Sequence, residues 1–588
     1  MLFSPLSWPR KHRMILALAG LCGLFGIILE YGTYPTPRLR IAADILSWTA
    51  LGLFLISEFM AARSAPSLTR YLRLHWPTFV LAVLLVAKAA LLVAGSGSTW
   101  AARLIDLMKV DSVTRAYLVI VQILMVVVFA VELPHLHRRF ASLKVRPAAA
   151  FVLAFLGLIL AGAGLLMLPR ATPPGLPLGP VDALFTSTSA VCITGLIVRD
   201  TATGFTTFGQ AIILCLIQLG GLGIMSLTAA LSLLVGRGIG VRESRLLREV
   251  FPVPVMGAAG GIIRQIILMT ILFEAVGAVL IYRGLGGAAW TDGPLWFTAV
   301  FHSVSAFCNA GFSTFSDSLA GPAAGKPLVL GTITLLLVVG GLGFGVVTQL
   351  AAWLRGRALG KVGPDNRLGL HSRVVLILSA GLLAGGGILL GALEWGGALD
   401  GRPWGDRVLH AVFQSATCRT AGFNTLDLAT LSEASILLMI VLMFIGGAPG
   451  STAGGVKVTT IAIGWANLKA LVRGSPRGRL GGRELDPVHV QRAMLVLSAG
   501  FACVAVGLFI LLVTEGRTLQ VTAFEVVSAL GTVGLSLGLT PELSLPGRFV
   551  IMALMFIGRL GPLTLAGSLT GAEKESRVRL PRGRILIG

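Results

Sequence analysis

Apolar residues along this chain come in runs of about twenty, separated by short stretches in which most of the charged residues collect. Runs of that length match the hydrocarbon core of a bilayer at about 1.5 Å per helical residue. They predict spans near 14–31, 41–62, 78–96, 116–134, 149–168, 210–235, 265–282, 328–353, 374–393, 433–468, 493–513 and 547–568. The run 433–468 is too long for one crossing. GGAPGSTAGG (446–455) interrupts it, and there glycine and Pro449 oppose helix. Between other spans lie segments too short and too polar to cross alone.

Four of these segments align without gaps: SAVCITGL (189–196), SAFCNAGF (305–312), ATCRTAGF (416–423) and SALGTVGL (528–535). Their shared glycines, Gly195, Gly311, Gly422 and Gly534, are 116, 111 and 112 residues apart. A second column follows each: GGLG (220–223), GGLG (340–343), GGAP (446–449) and GRLG (558–561). Two columns at a common period make residues 148–570 a fourfold internal repeat. Each unit reads as span, short half-helix, irregular glycine segment, span. Irregular backbone at membrane depth is tolerated only inside protein or beside a wet cavity, so the four segments are expected to surround one axis. Glycine admits φ > 0 there and lets carbonyls turn inward, where rings of carbonyl oxygens can replace a cation's hydration shell. The candidate filter residues are Cys192, Ile193, Thr194 and Gly195; Cys308, Asn309, Ala310 and Gly311; Arg419, Thr420, Ala421 and Gly422; and Gly531, Thr532, Val533 and Gly534. For the second column, packing glycines and pore glycines remain equal alternatives.

Composition agrees and narrows the class. The 588 residues are 55% hydrophobic and 13% charged, with a mean hydropathy of +0.86. The first run follows Arg10, Lys11 and Arg13 like a signal sequence, but its length and the spans behind it argue for a retained helix. A net charge of +22 raises the question of nucleic acid. Threading the spans alternately puts most of the basic residues on the N-terminal side. The charge is therefore topological, orients both termini to the cytoplasm and excludes nucleic acid as the partner. The six cysteines have no metal-like spacing, and no clustered nucleophile or acid/base set marks an enzyme.

With FTSTSAVCITGLIVRDT, FHSVSAFCNAGFSTF, FQSATCRTAGFNT, GGAPGSTAGGVK and FEVVSALGTVGLSLGLTPELS in hand, the chain resembles the Trk/Ktr/HKT superfamily of potassium-translocating subunits, KtrB/TrkH-like, over about 148–570. The resemblance implies an all-α polytopic membrane protein with four pseudo-symmetric helix–pore loop–helix repeats around a central pore. It implies K+ as the transported ion, a homodimer, no organic cofactor and a cytoplasmic nucleotide-binding regulatory subunit of KtrA/TrkA type. In plant members a serine replacing the first filter glycine goes with sodium transport, so Gly195 favours potassium. The family makes the interruption in repeat three an intramembrane gate, with Gly446, Gly447, Gly450, Ser451, Thr452, Gly454 and Gly455 as gate residues. Arg559 joins them, because it stands where other repeats have Gly221, Gly341 and Gly447. Facing the pore, it would be a cationic barrier bonded to loop carbonyls; the alternative is a structural arginine on helix ends.

The expected division is a four-helix N-terminal membrane extension (1–147), repeats at 148–250, 251–358, 359–475 and 476–570, and a basic cytoplasmic tail (571–588) contacting lipid or a partner. The extension departs from the family pattern and is read as scaffold or dimer contact. No nucleotide-binding pattern follows residue 570, so regulation is expected from a separate chain. Arg419 is expected to point behind its loop. Asp182, Asp200, Asp317, Asp427, Glu525 and Glu542 flank the outward ends of the pore loops. His302 and His410 read as packing residues, Lys457 as snorkelling to the cytoplasmic side, Lys88 and Glu58 as either an intramembrane pair or two snorkelling side chains, and Glu274 as an intramembrane acid with no named partner. The competing functions are a gated passive potassium pathway and a Na+- or H+-coupled potassium symporter, with a less selective Na+/K+ pathway as a variant of either.

Overall fold

The computed structural model describes residues 37–63, 147–234, 259–286, 293–360, 368–475 and 477–561, with scattered positions between 15 and 34. The spans expected at 78–96 and 116–134, most of 14–31, the Lys88–Glu58 pair and the tail 571–588 lie outside the residues so described. Of the N-terminal extension, α1 (Pro37–Arg63) is a full-length helix, and just ahead of it the Tyr34 hydroxyl donates to Thr172 O at 3.5 Å.

The rest is four successive helix–half-helix–helix units. The outer helices are α2 (Pro147–Leu166), α5 (Ala259–Leu285), α9 (Leu370–Glu394) and α13 (Pro487–Glu515). The half-helices are α3 (Pro180–Val191), α6 (Leu295–Phe307), α10 (Trp404–Thr417) and α14 (Leu519–Gly531). The inner helices are α4 (Thr207–Leu234), α7 (Pro327–Leu342), α11 (Glu433–Phe444) and α15 (Leu545–Leu560). Helix α8 (Phe344–Ala358) follows α7, and α12 (Val458–Val472) follows α11.

Burial is inverted relative to a water-soluble fold. The outer helices expose large apolar residues such as Ile271, Leu272, Ile377, Ile388, Phe501 and Phe509, while the half-helices bury serines and threonines. Among the described residues, 265–285, 370–394 and 487–515 are long and apolar enough to cross a membrane, and the bent α7–α8 pair counts as a fourth such element.

Two inner spans differ from the sequence reading. The stretches 210–235 and 328–353 are expected as continuous helices, but both break at the last glycine of GGLG. Gly223 has φ 73° and ψ 145°, and Gly343 has φ 86° and ψ 141°, with α7 and α8 bent by 106°. Gly561, at the matching place in repeat four, has φ 81° and ψ 142° and ends α15. Hydropathy does not register such a break, because the residues on both sides of it are apolar. Glycine makes it possible by occupying a region closed to most side chains.

On the opposite side of α12 from the interrupted loop, a short hairpin joins it to α13, pairing β1 (Arg479–Leu480) with β2 (Arg483–Glu484). Arg477 donates to Glu484 at 3.0 Å, and that bond with the Arg477 charge holds the carboxyl below its usual range.

Candidate functional site

Three of the half-helices are anchored to their outer helices by buried hydroxyls. Ser187 Oγ donates to Ile159 O (2.7 Å), Ser303 Oγ to Glu274 O (2.7 Å) and Ser415 Oγ to Leu383 O (2.9 Å). A glycine on each of these three outer helices makes the space: a methyl on Gly162, Gly277 or Gly386 would stand 2.4–2.5 Å from that hydroxyl. These contacts escaped the sequence reading, although serines eight residues before Gly195 and Gly311 and seven before Gly422 were a usable signal.

The half-helices end in turns whose left-handed residues recur in pairs: Ile193 and Gly195, Asn309 and Gly311, Thr420 and Gly422, Thr532 and Gly534. In three repeats the turn closes by a bond five residues back, Thr194 N to Ser189 O, Ala310 N to Ser305 O and Val533 N to Ser528 O, each 2.8 Å. This is the Schellman geometry, here without glycine at its first left-handed position. Ile193, β-branched at φ 56°, holds a conformation that costs about 1–2 kcal/mol. Repeat three closes one residue tighter, Ala421 N to Thr417 O at 2.9 Å. Ala416 stands where the others have serine, and Thr417 supplies the hydroxyl, donating to Phe423 O at 2.6 Å.

The four column glycines meet in a closed ring. A methyl on Gly195 would lie 2.5 Å from Ala310 O, on Gly311 2.7 Å from Ala421 O, on Gly422 2.5 Å from Val533 O, and on Gly534 2.1 Å from Thr194 O. The contacts run one, two, three, four and back to one. Backbone faces backbone all round, and the carbonyl before each glycine stands against the next repeat. The four half-helices run into this ring by their C-terminal ends, each worth roughly half a negative charge. Cys192, Cys308 and Cys418 are the C-caps of α3, α6 and α10. The Arg419 guanidinium leaves the ring and donates to Ser379 O (3.3 Å) and Ser379 Oγ (3.0 Å) on α9.

Outside the ring is a cavity of about 390 Å³ lined by the four glycines and by Asp200, Asp317 and Asp427. The other three acids placed there by sequence sit elsewhere. Asp182 pairs with Arg548 and Glu542 with Arg517, and Glu525 is buried behind its own loop. The rim is stitched between repeats: Ser316 Oγ donates to Asp200 (2.7 Å), Leu319 N to Asn424 O (3.0 Å), and Arg548 of α15 holds Asp182 of α3.

On the inner side, the segment 446–455 lies against the turns that carry the ring. Ala448 N and Thr452 N donate to Gly341 O (3.0 Å) and Gly340 O (3.3 Å), and Phe344 N donates to Gly450 O (3.2 Å). Thr452 Oγ1 donates to Phe307 O (3.2 Å). Gly454 and Gly455 pass so near repeat four that methyls there would meet Thr532 Oγ1 at 2.1 Å and Gly531 O at 3.1 Å. Gly446 N donates to Val456 O (2.8 Å), closing the base of the loop, and Ser451 Oγ donates to Ala448 O (2.6 Å) within it. Arg559 donates to Thr452 O and to Gly220 O (2.6 Å). Thr452 and Arg559 thus tie all four repeats together at one level. Lys457 does not snorkel outward: its Nζ folds back onto Ala453 O (2.5 Å) and Gly454 O (3.4 Å), because the loop leaves those carbonyls without helical partners.

The second column resolves by position. Methyls on Gly220, Gly340 and Gly558 would lie 2.0–2.1 Å from the carbonyls of Val191, Phe307 and Leu530, the last turns of their own half-helices. In repeats one, two and four the first glycine of the motif is therefore a packing residue. Gly558→Ala is expected to destabilise the protein by about 1–3 kcal/mol, the usual scale for overpacking. Its thermal unfolding midpoint in detergent should fall, and an unchanged midpoint would contradict the close approach.

The half-buried acid on α5 has partners after all. Glu274 accepts from Gln218 Nε2 of α4 (3.3 Å), and Cys308 Sγ lies 3.9 Å from its Oε1. His410 Nε2 meets Arg402 at 2.8 Å.

Residues 152–570 match the TrkH family, described as a cation transport protein. The chain is 36% identical over 445 residues to the Ktr system potassium uptake protein B of Bacillus subtilis (strain 168), covering 75% of this chain and 97% of that protein. It is 35% identical over 453 residues to the potassium/sodium uptake protein NtpJ of Enterococcus hirae, covering 76% and 98%. The crystal structure of the potassium transporter TrkH from Vibrio parahaemolyticus superposes with a TM-score of 0.57 at 22% identity, over 73% of this chain and 86% of that one. That last likeness concerns the fold.

Proposed function

This chain belongs to the TrkH cation transport family, and from that premise we propose that it carries potassium into the cell across the cytoplasmic membrane. The carrying observation is the closed glycine ring, in which no side chain intervenes between backbones of successive repeats. Carbonyls before and within it would take the place of water around K+. Asp200, Asp317 and Asp427 would raise the cation concentration at the outer end. The segment 446–455 and Arg559 would close the inner end, and their displacement would open it. The division at 148–250, 251–358, 359–475 and 476–570, with both termini cytoplasmic, belongs to this reading.

A homodimer controlled by a nucleotide-binding subunit of KtrA/TrkA type is the expected assembly. Relatives named as parts of a Ktr system support a multi-component arrangement. Arg355, Arg357, Lys469, Arg473 and Arg479, at the inner ends of α8 and α12 and on the hairpin, offer the partner a basic surface.

Coupled symport is the second reading, favoured by one observation: a carboxylate, Glu274, held by Gln218 and Cys308 at membrane depth. Both readings meet one experiment. Expression in a potassium-uptake-deficient strain should restore growth at low K+. Reversal potentials in a passive pathway should follow the K+ gradient alone, whereas a shift with Na+ or pH would select symport. Failure to rescue, with the protein in the membrane and the regulatory subunit co-expressed, would overturn both.

A further inference from the structure

Two ionisable side chains lie behind the ring at equivalent places. His302 is nine residues before Gly311, and Glu525 is nine before Gly534. They are 1% and 0% exposed. Each reaches the serine two residues beyond its glycine. His302 Nε2 meets Ser313 Oγ at 3.0 Å, with Nδ1 facing Thr298 O at 2.8 Å; since that carbonyl only accepts, the proton is assigned to Nδ1. Glu525 accepts from Ser536 Oγ at 2.9 Å and from Thr540 Oγ1. Both serines also accept a backbone N–H two residues on, from Phe315 at 2.9 Å and from Gly538 at 3.0 Å. The His302 ring is stacked on Phe315, with centroids 4.6 Å apart.

Repeats one and three have no such anchor. At the matching half-helix position stand Thr186, whose hydroxyl finds no partner, and Phe413. Two residues beyond their glycines stand Ile197, which has no polar side chain, and Asn424, which bonds locally to Leu426 O at 3.1 Å. The ring order one, two, three, four puts the anchored repeats diagonally opposite.

We propose that His302 and Glu525 are positioning residues for ion selection, tying the outer turns of two opposed repeats to their half-helices and so fixing the width of the ring. The proposal rests on the filter reading above. A smaller dehydrated cation such as Na+ needs the carbonyls to close in, whereas K+ takes them where they stand. Turns tied to buried half-helices resist that contraction. Freed turns would accommodate Na+ with little change for K+. Fourfold backbone symmetry would thus act as a twofold frame, with repeats two and four stiff and repeats one and three following them.

The test measures K+ uptake with Na+ as competitor in Glu525→Gln, Ser536→Ala, Ser313→Ala and the Ser313→Ala/Ser536→Ala pair; the serine variants keep both buried ionisable groups and so guard against misfolding. Each single variant should lower the preference for K+ over Na+ about fivefold, and the pair more than tenfold, with maximal K+ uptake within about twofold of wild type. A fall in maximal uptake with the preference unchanged would reduce the contacts to fold support and overturn the proposal. Gly534→Ala is assayed alongside. Normal uptake and preference in that variant would overturn the filter reading itself. Impaired uptake there, with unchanged preference in the anchor variants, would overturn the anchors alone.

Discussion

Gly534→Ala is expected to reduce potassium uptake more than about a hundredfold without preventing membrane insertion. Two costs combine at this position. The backbone stands at φ 95°, where an L side chain loses roughly 1–2 kcal/mol. The new methyl would also stand 2.1 Å from Thr194 O, a backbone atom in a turn held by the bond from Thr194 N to Ser189 O. Relief requires repeats four and one to separate, which opens the ring. Gly175→Ala separates the two costs, since Gly175 has φ 81° with open space around it. That variant should be destabilised modestly and transport normally. Equal loss in both would mean that backbone strain, rather than the ring, is what uptake depends on. Uptake is measured as 86Rb+ or K+ accumulation per amount of protein in the membrane.

Arg559→Ala should have the opposite sign, raising basal cation flux roughly tenfold or more. At about 6 Å and an effective dielectric of about 20, a unit positive charge opposes a passing cation by about 2.8 kcal/mol. The same substitution also removes the tie between Thr452 O and Gly220 O, so charge and latch must be told apart. Arg559→Lys does this. It keeps the charge but gives up the planar fork that spans two carbonyls. Low basal flux in the lysine variant assigns the barrier to charge. Flux as high as in the alanine variant assigns it to the latch. Unchanged flux in both, with normal expression, would remove Arg559 from the gate.

The sequence carried the fold a long way because its signals are periodic. Apolar runs gave the outer helices within a few residues, as with 374–393 against Leu370–Glu394. Two glycine columns gave the repeat. The break in repeat three was legible because ten residues rich in glycine, with one proline, cannot stay helical. The breaks at Gly223 and Gly343 were not, since one glycine inside an apolar run has the same composition whether its φ is negative or positive.

Side-chain partners divide along the same line. A single chain's spacing says that Glu525 and His302 share a register, but not that both reach a serine across the turn. Likewise Lys457 and the six outer acids were placed by topology alone, and only the folded loop showed the lysine turned back and three acids engaged elsewhere. What the sequence determined by itself was the membrane class, the fourfold period and the ring glycines, because hydropathy and repetition are local properties of the chain. Which carbonyls meet across the ring and what Arg559 bonds depended on contacts between residues more than a hundred positions apart, and which repeats are anchored depended on how a turn folds back over eleven residues; packing decides both.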